Sequence, residues 1–259
     1  MKDTTFSNKD ILITGCASGL GKAFSEVFPG ALNLTRQNRE DIVDSCRGKK
    51  LKAIIHCAFN SSRDENIEHY SKYLDDNLFL TKELLNLECD KFVYISSIDV
   101  YRQEFSYYKL CKLLSEILVE ESKGDENCLI LRCPAILGKT MRSNSILKVL
   151  DTNKDANHEI TLSRHSAFNC VLQDDIIEFV KRVLLGNEAF GIIDFVSEGN
   201  ISLEGIRQLF NRDSSVVFGQ HEYVTPGINN REIVSFYPES KKSSAQVISE
   251  FLNLEKKND

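Results

Sequence analysis

Two rhythms of apolar and polar positions alternate along the chain. Short apolar runs at 10–14, which is rich in β-branched residues, and at 31–35, 51–57, 91–95 and 127–132 have the signature of buried strands. Between them apolar residues recur every three or four positions and predict helices. These cover 22–28, 39–47, 65–87 (Ile67, Tyr70, Leu74, Leu78, Leu84, Leu85) and 105–123. Strand and helix in regular succession predict an α/β, Rossmann-type doubly wound parallel sheet with helices on both faces and right-handed crossovers. After Gly138 the pattern loosens. Helices are expected over 143–150, from Gln173 to Leu185, over 202–210 with Ser202 as cap, and over 243–254. Extended segments are expected at 160–172, 191–196 and 216–218, with a polar stretch at 151–159. The expected organisation is a dinucleotide-binding core, 1–138, followed by 139–259. The second part is a small C-terminal substrate lobe interleaved with the remaining core elements, the whole forming a single compact unit.

Composition narrows the picture by exclusion. The 259 residues are 42% hydrophobic and 27% charged, a globular balance. No run approaches the roughly 18 apolar residues of a membrane span. The first residues are polar and lack the apolar core of a signal peptide, so a cytoplasmic protein is expected. The net charge of −6 is spread without a basic block, which argues against nucleic acid. The eight cysteines form no Cys-x-x-Cys pair, and several lie inside apolar runs. They read as small buried hydrophobes in a reducing compartment. The five histidines are scattered, and no metal site is expected.

Candidate chemistry begins where the first strand meets Gly15-Cys16-Ala17-Ser18-Gly19-Leu20-Gly21 and then a helix. Strand, glycine turn and helix is the context in which a glycine motif signals dinucleotide binding. Gly15 permits the tight turn, Gly19 lets backbone approach a pyrophosphate, and Gly21 lets the helix pack closely on the strand. Ser18, Gly19, Leu20 and Gly21 surround the helix amino terminus, whose N–H groups and dipole suit phosphate. The second strand ends at Arg36, where an acidic residue would suit ribose hydroxyls and a basic one suits a 2′-phosphate. Arg36 therefore points to NADP, with NAD the lesser alternative; Asp41 lies where the adenine would pass. The third strand ends in His56-Cys57-Ala58-Phe59-Asn60, read as small residues beside the cofactor, with Cys57 and Ala58 nearest. Tyr108 and Lys112 are four apart and share a helix face. A free tyrosine has a pKa of about 10, and a neighbouring ammonium favours its phenolate and brings it toward the working range. Ser97, at the carboxyl end of the fourth strand, is placed to hold the oxygen that trades a proton with Tyr108.

With these residues in place the chain resembles the short-chain dehydrogenase/reductase superfamily over nearly its whole length. The closest likeness is to the extended, NAD-dependent epimerase/dehydratase-like branch. Thr14-Gly15-x-x-x-Gly19-x-Gly21 matches the cofactor loop, with the spacing of shorter members. Asn77-Leu78-Phe79-Leu80-Thr81 matches the Asn-x-x-x-Thr helix, and Phe92 to Tyr101 is similar to the strand-four motif. Tyr108-Lys109-Leu110-Cys111-Lys112 with Glu116 matches Tyr-x-x-Ser-Lys-x-x-x-Glu, cysteine replacing serine. Leu131-Arg132-Cys133-Pro134 resembles Leu-Arg-x-Pro beside the nicotinamide, and Val171 to Ile176 resembles Val-His-Val-Asp-Asp-Val.

The resemblance implies that Tyr108 is the general acid/base and that Ser97 binds the reacting oxygen. It implies that Lys112 tunes Tyr108 and holds the nicotinamide ribose, that Asn77 supports the proton relay, and that Pro134 lies beside the nicotinamide. Members that eliminate water carry Asp-Glu directly after the catalytic Ser/Thr; here those positions are Ile98 and Asp99, which argues against a dehydratase. The implied activity is reduction of a keto group on a nucleotide-linked sugar. A nucleotide-sugar epimerase holding NAD and a non-catalytic NAD(P)-binding regulator are the alternatives. Relatives often pair through the two long helices, so a homodimer is expected. Two departures concern the substrate. Only residues 102–107 separate Tyr101 from Tyr108, and Phe168 stands where a phosphate-binding basic residue is usual, leaving Arg164 as a stand-in.

Overall fold

The structure is a computed structural model that describes residues 7–60, 70–151, 158–186, 188–211 and 215–258. Its chain forms two units, residues 1–132 with 176–193 and residues 133–175 with 194–259. The chain leaves the first unit after Arg132 and returns to it for 176–193.

The first unit is built from β1 (Ile11–Thr14), α1 (Gly19–Val27), β2 (Leu32–Leu34), α2 (Arg39–Cys46) and β3 (Lys50–His56). Next come α3 (Tyr70–Leu74), a π-helical turn (Asp75–Phe79), α4 (Leu80–Leu85), β4 (Glu88–Ser97), α5 (Tyr107–Lys123) and β5 (Cys128–Cys133). The expected helix from 65 thus runs from Tyr70 through a π turn, and its first residues, 65–69, lie outside those described.

β6 (Ala135–Leu137), α6 (Ser145–Leu150), β7 (Glu159–Leu162), β8 (Ala167–Phe168) and β9 (Cys170–Leu172) follow in the second unit. α7 (Gln173–Leu184) and β10 (Gly191–Asp194) carry the chain back through the first. β11 (Ile201–Ser202), α8 (Leu203–Phe210), β12 (Val217–His221), α9 (Arg231–Phe236) and α10 (Ser244–Asn258) complete the chain.

Six strands form the central sheet in the order β2-β1-β3-β4-β5-β10. β1 pairs in parallel with both β2 and β3, and β3 with β4. A parallel sheet covered on both faces calls for near-continuous apolar strands, and every residue of β1 and of 92–97 in β4 is buried. Leu12, Ile54, Phe92, Leu84, Val119 and Ile130 lock helices onto the sheet in one core. The strand order reverses direction between β1 and β3, and a doubly wound sheet binds ligands outside the carboxyl ends at such a point.

Three strand pairs organise the second unit: β6 with β9 in parallel, β7 with β12 in parallel, and β8 with β11 antiparallel. Leu137, Val149, Cys170, Leu203, Ile206 and Ile248 form its separate core. Ser202 caps α8 as expected, its Oγ accepting from the Gly205 N–H at 3.0 Å. Phe168 stacks on Tyr223 with ring centroids 4.9 Å apart. α9 has no counterpart in the sequence pattern because only Ile233 on it is buried, too little to set up a period.

Candidate active site

The carboxyl ends of β1 and β3 and the first turn of α1 come together where two side chains are missing. A Cβ on Gly15, whose φ is +76°, would stand 2.9 Å from the Ala58 nitrogen. A Cβ on Gly21 would stand 2.5 Å from the carbonyl oxygens of both Thr14 and Gly15. Only glycine fits the first conformation, and only glycine lets α1 sit this close to the turn. Gly19 also adopts a positive φ, +62°, as α1 begins, with Ser18 as extended N-cap. The amino end of α1, with buried Leu20 behind it, therefore opens at the strand-order reversal. This is the cradle a pyrophosphate needs, and the residues present fit a dinucleotide.

A buried polar chain stiffens this junction. Thr14 Oγ1 accepts the N–H groups of Cys57 and Ala58 at 3.1 and 2.9 Å. Its own hydrogen then goes to His56 Nδ1, 2.8 Å away. His56 Nε2–H donates to Thr81 Oγ1 at 2.9 Å, and Thr81 donates to the Asn77 carbonyl at 2.8 Å. One tautomer of neutral His56 satisfies every link. Burial, aided by the Lys112 charge, holds its pKa down at about 3.

Asn77 sits in the π turn, almost fully buried, and its side chain is committed to the loop after β3. Its Oδ1 accepts from the Asn60 N–H at 2.6 Å and its Nδ2 donates to the Asn60 carbonyl at 3.1 Å. A π turn inserts one residue into the helical repeat and recurs at functional sites. Here it lies where α3 passes into α4 and the Asn77 side chain reaches the loop.

β4 delivers Ser97 at its carboxyl end, where Ser97 Oγ accepts from the Asp99 N–H at 3.2 Å and caps the 3₁₀ turn Ile98–Tyr101. α5, capped by Ser106, carries Tyr108 and Lys112. Lys112 is buried, with Nζ donating to the Ile95 carbonyl at 2.7 Å. Its ammonium also lies over the rings of Phe59, at 4.1 Å, and Tyr94, at 4.8 Å. Phe59 meets Tyr108 edge-on with centroids 4.9 Å apart. The stretch read as uniformly small thus contains one large ring touching both Tyr108 and Lys112. A buried ammonium needs such partners, and the π faces and the carbonyl provide them.

A second buried charge holds the same elements. Arg132 donates to Glu116 through Nε at 3.1 Å and Nη2 at 2.6 Å, and through Nη1 to the Tyr101 hydroxyl at 2.6 Å. Ser96 Oγ donates to Glu116 as well. β4, α5 and β5 are joined through a carboxylate that is almost fully buried. Cys111, in place of the usual serine, is a buried thiol whose pKa burial pushes up.

Arg36 and Asp41 lie on the segment after β2. Arg36 follows β2, and Asp41 lies exposed in the first turn of α2. Arg36 engages Asp76 through Nε (3.3 Å) and Nη2 (2.7 Å). Pro134 belongs to the second unit, between β5 and β6. Among the described residues no cluster of His, Cys, Asp or Glu could hold a metal ion, and no helix is long and apolar enough to cross a membrane. All eight cysteines are free thiols.

A glycine turn at the reversal of a parallel sheet, with a Tyr–Lys pair on the helix after β4, defines an α/β protein of the dinucleotide-binding class. The chain belongs to the NAD dependent epimerase/dehydratase family, whose model matches residues 11–184. No curated protein sequence matches it. Among solved structures it is similar to UDP-glucuronic acid 4-epimerase from Bacillus cereus, in complex with UDP-glucuronic acid and NAD. The TM-score is 0.75 at 15% identity, over 95% of this chain and 99% of that one. It is also similar to a dTDP-4-dehydrorhamnose reductase from Clostridium acetobutylicum, with TM-score 0.73 and 16% identity over 95% and 99% of the two chains. RMD from Pseudomonas aeruginosa, complexed with NADPH, gives 0.67 and 19% identity over 93% and 99%. At these identities the likeness to solved structures establishes the fold.

The state of His56 has a measurable consequence. Below the ordinary value of 6.5 the unfolded chain takes up a proton that the folded chain refuses until about pH 3. The stabilisation is therefore complete above pH 6.5 and declines as pH falls. Urea midpoints at pH 7 and pH 5 are expected to show a loss of about 2 kcal/mol in the wild type that is absent in His56→Gln. Equal losses in both proteins would show that His56 protonates freely in the fold.

Proposed function

We propose that the chain is an NADP-linked ketoreductase acting on a keto group of a nucleotide-linked sugar, with Ser97, Tyr108 and Lys112 as its catalytic residues. The observation that carries this reading is the gathering of Tyr108 and buried Lys112 around Phe59. Ser97 ends the adjacent strand β4, and the glycine turn ends β1 in the same sheet. When bound, the nicotinamide supplies the hydride.

The chain's own residues move and hold the proton. The Tyr108 hydroxyl exchanges it with the substrate oxygen. The Lys112 ammonium favours the negative charge that builds on the Tyr108 oxygen during transfer. Ser97 Oγ accepts the Asp99 N–H, and its own hydrogen serves the substrate oxygen. Asn77 is a positioning residue here, since its amide is spent on Asn60. Gly15, Ser18, Gly19, Leu20, Gly21, Cys57 and Ala58 serve the cofactor, with Asp41 at the adenine. Ile98, buried and aliphatic, has no proton to give, which supports reduction over elimination.

The NADP assignment rests on Arg36, whose side chain is 64% exposed at the end of β2. A second reading, an epimerase holding NAD, is favoured by the carboxylate of Asp76 against that same guanidinium.

Tyr108→Phe is expected to abolish hydride transfer from NADPH to a 4-keto nucleotide sugar while dinucleotide affinity stays within a few-fold. Retained turnover would remove Tyr108 from the mechanism. The spectrum of the supernatant from denatured, freshly purified protein decides between the readings. Little dinucleotide supports an exchanging reductase, and stoichiometric NAD supports the epimerase.

A homodimer is part of the proposal. Tyr107, Leu110, Leu114 and Ile117 form an exposed apolar stripe on α5, and Phe79 is exposed at the end of the π turn. Light scattering should give twice the chain mass, falling to one on introducing Leu114→Glu with Ile117→Glu. A wild-type monomer would contradict this part.

A further inference from the structure

We propose that Asp76 sets the discrimination between NADP and NAD by competing with the adenosine 2′-phosphate for Arg36. The inference rests on the reading of the glycine turn as a dinucleotide site.

Asp76 occupies the π turn immediately before Asn77, and its side chain is only 12% exposed. Its Oδ2 accepts from Asn60 Nδ2 at 2.9 Å and from Arg36 Nη2 at 2.7 Å, and its Oδ1 accepts from Arg36 Nε at 3.3 Å. The carboxylate is therefore the fixed partner. Arg36, 64% exposed, is the one free to move. Arg39, the next cation after β2, is also matched: Nη1 meets Asp75 at 2.9 Å and Nε meets Glu83 at 2.7 Å. Two guanidinium groups thus face three carboxylates.

Position and charge point in opposite directions here. Arg36 stands where a 2′-phosphate would be read, which favours NADP. That phosphate must draw Arg36 from Asp76 or sit beside it with the carboxylate just behind, and either way Coulomb repulsion opposes it. A ribose hydroxyl meets no such opposition. Asp76 accordingly holds the preference for NADPH well below what an uncompensated arginine would give. The carboxylate also shares Asn60 with Asn77, so the selecting group is built into the turn that braces the active-site loop.

The test is dinucleotide affinity, which requires no substrate. NADPH and NADH are titrated into the wild type and Asp76→Asn, a replacement of equal shape that keeps an acceptor for Arg36. NADPH is expected to gain about fivefold or more relative to NADH in the variant, with less gain at high salt. NADH itself should stay within about twofold, since its ribose carries no charge there. An unchanged ratio, or a loss of NADPH affinity showing that Asp76 serves to orient Arg36, overturns the proposal. If Asp76→Asn does not fold, the wild type alone decides. An NADPH-to-NADH affinity ratio within about tenfold is expected, and one above about a hundredfold refutes the compensation. Binding of neither dinucleotide to the folded wild type would instead remove the cofactor site itself.

Discussion

The close approach of β1, α1 and β3 depends on the absence of two Cβ atoms. Gly21 lets the first turn of α1 lie against the carbonyls of Thr14 and Gly15, and Gly15 lets the turn pass the Ala58 backbone. Because this happens where the sheet order reverses, the helix amino terminus opens at the edge where a parallel sheet presents its ligand. The polar chain from Thr14 through His56 and Thr81 to Asn77 then ties that edge to the π turn. The glycine turn and the turn that carries Asn77 are thus parts of one braced structure.

Burial governs the chemistry of the second half of the site. Lys112 keeps its charge out of bulk water by giving Nζ to a carbonyl and two aromatic faces. Glu116 and Arg132 satisfy one another across α5 and β5. Removing one partner of such a buried pair costs about 3–5 kcal/mol, because the other charge is left uncompensated. Ser97, Tyr108 and Lys112 therefore sit on elements held by interactions that resist displacement, which suits residues that must keep a fixed geometry.

Much of this was legible in the sequence. β1, β3, β4 and β5 show as short apolar runs because both faces of the sheet are covered, and the glycine spacing marks the turn that follows β1. Ser202 announced the cap of α8 by its residue type. What escaped was three-dimensional. The break at 75–79 is invisible because a π turn adds one residue without altering composition. Phe59 sat in a stretch read as small, and only the fold shows its ring against both Tyr108 and Lys112. Arg36 read as an uncompensated cation because Asp76, forty residues away, cannot be recognised as its partner from the chain. The short strands of the second unit, such as β6 and β11, are too brief to establish a period.

A nicotinamide dinucleotide seated on the glycine turn after β1 is what the proposed chemistry requires. Calorimetric titration of NADPH and NADH into the wild type and into Gly15→Ala measures whether it binds there. Alanine there must adopt a φ of +76° and place Cβ 2.9 Å from the Ala58 nitrogen. One equivalent of dinucleotide should bind the wild type, and a folded Gly15→Ala protein should bind at least about tenfold more weakly. Absence of binding to the wild type, or equal binding by both proteins, would show that the glycine turn holds no dinucleotide.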